Sequence, residues 1–69
     1  MFTFEIKING ALIGHIYGHN EGSTPRGDRY TYEYYEVENR KVVNGEVIHR
    51  RELGIRPLLI AILSDIETP

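Results

Sequence analysis

The sequence predicts an α+β fold: an antiparallel β-meander of four to five strands packed against one C-terminal α-helix. Three observations predict it. Asn9-Gly10 and Asn44-Gly45 each join two apolar-rich runs, and one long apolar stretch, residues 55–66, follows them. Asn-Gly between strand-like runs supplies the positive backbone angles that a two-residue hairpin requires.

Strand one is read from Phe2, Phe4, Ile6 and Ile8, which alternate with Thr3, Glu5 and Lys7 at the period of a half-buried strand. A two-residue turn at Asn9-Gly10 sets Ile8 opposite Ala11, Ile6 opposite Ile13, Phe4 opposite His15 and Phe2 opposite Tyr17. On that register Gly14 and Gly18 fall on the outer face of strand two, where close approach by another chain would use them. Residues 20–28, rich in Gly, Ser and Pro, read as a loop. Residues 29–38 form strand three, with Tyr30, Tyr32 and Tyr34 on one face and Thr31, Glu33, Tyr35 and Val37 on the other. A turn at 38–40 leads to a second hairpin, residues 41–43 and 46–51, around Asn44-Gly45.

Pro57 suits the first position of a helix, which predicts a helix over 57–66. Its apolar stripe is Ile55, Leu58, Leu59, Ile62 and Ile66, with Ile60 and Leu63 to the side. So wide an apolar face calls for a second neighbour, either a curled sheet or a second copy of the chain. A homodimer would use Ile60 and Leu63, with Gly14 and Gly18 as further contact positions.

Sixty-nine residues make one domain, 1–69, of a size that buries only about 60% of its unfolded surface. With no cysteine, disulfides, thiolate metal sites and cysteine catalysis are excluded. The N-terminus has no basic n-region of a signal peptide, and the longest apolar run, residues 58–63, is far short of the roughly twenty residues of a membrane span. A cytoplasmic protein is expected, with no membrane contact. The net charge of −2 names no partner.

The motifs exclude more than they assign. Gly22 to Gly27 has the glycine spacing of a phosphate loop, but Asp28 stands where the lysine belongs and leads into a strand. His15 and His19 would share a metal on a helix; on a strand they lie about 13 Å apart. Ser23 and Ser64 lack a neighbouring base, and Glu36 with Glu38 reads as a solvated pair. No enzyme, metal or cofactor is expected. The leading expectation is a non-enzymatic module acting through protein contacts as a homodimer. The alternative is nucleic-acid binding, with Tyr30, Tyr32 and Tyr34, or Tyr35 on the opposite face, stacking bases beside Arg40, Arg50 and Arg51.

Overall fold

The computed structural model describes residues 1–67. It contains four strands, β1 (Phe2–Ile8), β2 (Ala11–Thr24), β3 (Gly27–Glu36) and β4 (Val43–His49), a 3-10 turn over Arg51–Leu53, and one helix, α1 (Ile55–Glu67). The strands form one antiparallel sheet in the order β1-β2-β3-β4, with α1 packed on one face. This is the α+β meander that the sequence predicts.

The first turn forms as expected. Asn9 has φ 51° and Gly10 φ 80°, the two positive angles of a type I′ hairpin. Beyond it the register departs from expectation. Lys7 pairs with Leu12, but Ile6 pairs with Gly14, so Ile13 is an extra, bulged residue. One extra residue exchanges the two faces of everything beyond it. Phe4 therefore lies opposite Ile16 and Phe2 opposite Gly18, not His15 and Tyr17.

Gly14 and Gly18 are thus buried on the inner face, a correction to the outer-face contact role expected of them. A Cβ on Gly14 would stand 2.6 Å from the Tyr35 carbonyl oxygen and 2.7 Å from the Tyr34 ring; one on Gly18 would stand 2.1 Å from the Phe2 ring. Both are hollows filled by aromatic rings of their own chain.

Two further corrections concern loops and turns. Residues 20–28 are mostly strand: β2 and β3 stay paired out to Thr24 and Gly27, with Pro25-Arg26 as the turn. A second bulge before Gly22, whose N–H donates to Asn20 Oδ1 at 2.9 Å, absorbs the glycine that suggested a loop. Asn44-Gly45 makes no turn at all. It lies within β4, Asn44 opposite Glu33 and Gly45 opposite Tyr32. Residues 37–42 connect β3 to β4 instead, held by the Val42 N–H donating to the Tyr34 carbonyl at 2.9 Å.

The core is Ile16, Tyr30 and Tyr32 from the sheet and Leu58 and Ile62 from α1. Burying each of the two helix residues is worth about 1.5–3 kcal/mol. The helix begins at Ile55, ahead of the expected start; Pro57 is tolerated because first-turn N–H groups have no partner inside the helix. Ile55 is largely exposed, and Leu63 joins Leu59 and Ile66 against the core. Of the two flanking residues predicted, only Ile60 projects into solvent. The Tyr32 hydroxyl donates to the Asp65 carboxylate and ties sheet to helix. Burial, reinforced by that carboxylate, pushes the Tyr32 phenol up to about 12. Among the described residues no helix is long and apolar enough to cross a membrane.

Candidate functional site

α1 covers one face of the sheet, and the other carries the side chains of opposite parity. After the bulge at Ile13, β2 turns His15, Tyr17 and His19 outward, opposite Tyr35, Glu33 and Thr31 of β3. The rings form a row across the two central strands. His15 stacks on Tyr17 with centroids 6.0 Å apart, and Tyr17 meets Tyr35 edge-on at 5.5 Å. A shallow open groove of about 450 Å³ runs beside them, bordered by Tyr17, His19, Thr31, Glu33, Asn44 and Glu46.

The carboxylates of this face are already engaged. Tyr35 Oη donates to Glu33 Oε2 at 2.7 Å, and Lys41 Nζ donates to Glu33 Oε1 at 3.0 Å. The Tyr35 hydrogen bond, then Lys41, holds the Glu33 carboxyl below its usual range, while the same bond raises the Tyr35 phenol. Glu46 accepts from Arg29 at 2.7 Å, and Glu21 accepts from Thr31 at 2.9 Å. A carboxylate held ionised by two donors is poorly placed to exchange protons near neutral pH. What the face offers is ring surface with paired charges around it.

The predicted nucleic-acid residues are dispersed. Tyr30 and Tyr32 are buried and Tyr34 half-buried, all on the inner face beneath α1, so the expected stacking platform is corrected to core. Burial raises the Tyr30 and Tyr34 phenols, with Asp28 and Glu36 adding to it. Arg40 precedes β4 while Arg50 and Arg51 follow it, so a seven-residue strand, roughly 23 Å at 3.3 Å per residue, separates them. Arg50 pairs with Glu52 at 3.0 Å. Ile60, of the expected contact pair, is exposed on α1, while Leu63 packs against the core. His15 and His19 sit on a strand that runs unbroken through Gly18, and the described residues contain no cluster of three or more potential metal ligands. His49 is buried against Tyr30, and its Nε2 has no hydrogen-bond partner among the described residues.

Reading the sequence missed Tyr17 as a surface residue because the turn at Asn9-Gly10, taken alone, points it inward. The signal was the alternation in 14–19. Gly14, Ile16 and Gly18 are small or apolar, and His15, Tyr17 and His19 are the polar set. Comparison with protein-family models, curated proteins and solved structures gives no match.

Proposed function

We propose that this chain is a non-enzymatic contact module that works by binding protein, first of all a second copy of itself. One observation carries the reading. Among the described residues only five hydrophobic side chains are buried, against ten large hydrophobics that are exposed. Scattered exposed apolar residues are ordinary, but ten exposed against five buried, with nine only partly buried around that core, leaves a chain this small short of stabilising burial. Self-association supplies what the core lacks, and the ring row, with Tyr17 exposed between the half-buried His15 and Tyr35, remains as a surface for a further protein.

Sedimentation over a dilution series tests this. The expected result is a species of twice 8.0 kDa that dissociates on dilution. A monomer at every concentration overturns the reading. Ile60→Glu then locates the seam. Ile60 is exposed, so the change costs the fold about 0.5 kcal/mol or less, and the mass falls only if the helix flank is in the contact.

A second reading rests on the ring row itself. Tyr17, Tyr35 and His15 lie on the two central strands of an uncovered sheet face, a geometry on which unpaired bases can stack. Glu33, placed among them, opposes a phosphate backbone, which ranks this reading below the first. Amide shifts of Tyr17 and Tyr35 on adding a short single-stranded oligonucleotide, lost as salt rises, would reverse that ranking.

A further inference from the structure

β1 is an end strand, with β2 on one side and, among the described residues, no strand paired on the other. Its seven residues, FTFEIKI, hold no proline, no inward charge and no bulged residue of their own. Proteins ordinarily guard a strand this long with such devices or with charges on the edge, because its open N–H and C=O groups template another strand; here the edge charges are one of each sign, Glu5 and Lys7. The opposite edge is different. Asn44 and Gly45 are weak ladder formers near the start of β4, and α1 packs against that strand.

β1 also complements itself. When two copies pair antiparallel about an axis perpendicular to the sheet, residues of one face meet residues of the same face. With Ile6 opposite its own copy, Glu5 meets the second copy's Lys7 and Lys7 meets its Glu5 on the outer face. On the inner face Phe4 meets Ile8. Sliding by one step either way sets Glu5 against Glu5 or Lys7 against Lys7, which is repulsive. The register with Phe4 against Phe4 sets Glu5 against Thr3 and leaves Lys7 beside Met1, so neither charge gains an opposite partner. Within one chain Glu5 and Lys7 are 3.6 Å apart and each more than half exposed, so both are free to re-pair. Ile8 is 58% exposed and Phe4 and Ile6 are half-buried, so the same register covers apolar surface that α1 does not reach.

We infer that β1 pairs antiparallel with β1 of a second copy of this chain, Ile6 against Ile6, joining two four-stranded sheets into one. The inference rests on the self-association proposed above and supplies its surface.

The test is sedimentation of the wild type, Lys7→Glu, Glu5→Lys, an equimolar mixture of these two, and the double variant Glu5→Lys/Lys7→Glu, with amide spectra confirming the fold of each. Either single change makes both cross-strand pairs repulsive and raises the dissociation constant by about tenfold or more. The mixture re-forms a dimer from unlike chains, and the double variant, with both charges exchanged, dimerises like the wild type. Ile60→Glu, on the helix that packs against the far strand, leaves the dimer intact. A wild-type monomer overturns this pairing together with the self-association reading. A dimer indifferent to the charges at positions 5 and 7 overturns the β1 pairing alone and leaves self-association through another surface.

Discussion

The same dipeptide occurs twice in this chain and does two different things. Asn9-Gly10 turns the chain with both residues at positive φ, while Asn44-Gly45 runs straight through β4 with Asn44 facing Glu33 and Gly45 facing Tyr32. At the first site nothing lies within 4 Å of where a Gly10 side chain would go. At the second a Gly45 Cβ would stand 2.8 Å from Tyr32 Oη and 3.1 Å from Asp65 Oδ2. The first glycine is there for its backbone and the second for its missing side chain. Asn-Gly signals a turn when only local preference is at stake; a ring that needs a hollow outweighs it.

Breaking the packing role has the largest effect. Gly14→Ala forces a Cβ against the Tyr35 carbonyl, which cannot move without breaking the ladder. The expected loss is about 3 kcal/mol, a fall in melting temperature of more than about 10 °C. Gly45→Ala, which meets the end of the Tyr32 side chain, costs about 2 kcal/mol by the same measurement. A Gly45→Ala variant that melts with the wild type would dissolve the contrast.

Next in size is the hydrogen bond above Gly45. Tyr32→Phe removes the hydroxyl that binds Asp65 and costs about 1 kcal/mol at neutral pH. It also changes the alkaline limb. The Tyr32 phenol is raised from 10.0 to about 12 in the fold, so its contribution is complete below pH 10.0 and is lost as pH climbs towards about 12. Denaturant unfolding of the wild type should weaken through that window, and the Phe variant should weaken less.

The smallest effects sharpen the comparison through one substitution made twice. Asn9→Thr places a β-branched residue at φ 51° and costs about 1 kcal/mol. Asn44→Thr, on the exposed outer face of a strand, gains about 0.5 kcal/mol. Opposite signs in matched unfolding curves support two roles for one dipeptide; equal signs refute them.

The candidate surface was only partly legible. Ile60 was readable because a helical wheel depends on spacing alone. Within the ring row, the face of Tyr35 was readable from the alternation of β3, but His15 and Tyr17 were not, because one bulged residue at Ile13 reverses which side of β2 faces water. The arginines read as one cluster because they adjoin a supposed hairpin; with β4 extended, the same residues stand at its two ends.

What the sequence by itself determined was local and periodic. It set the alternation of β1, the shared face of Tyr30, Tyr32 and Tyr34, the turn at Asn9-Gly10 and the apolar stripe of α1, each the product of residues within a few positions of one another. Only the tertiary structure decided which face of each strand is inside, and therefore which aromatic rings are core and which are surface. That choice belongs to the fit between rings and glycine hollows, Phe2 over Gly18, Tyr34 over Gly14 and Tyr32 over Gly45. Burying such rings is worth more than a turn preference, and their partners lie on neighbouring strands, beyond the reach of any local pattern.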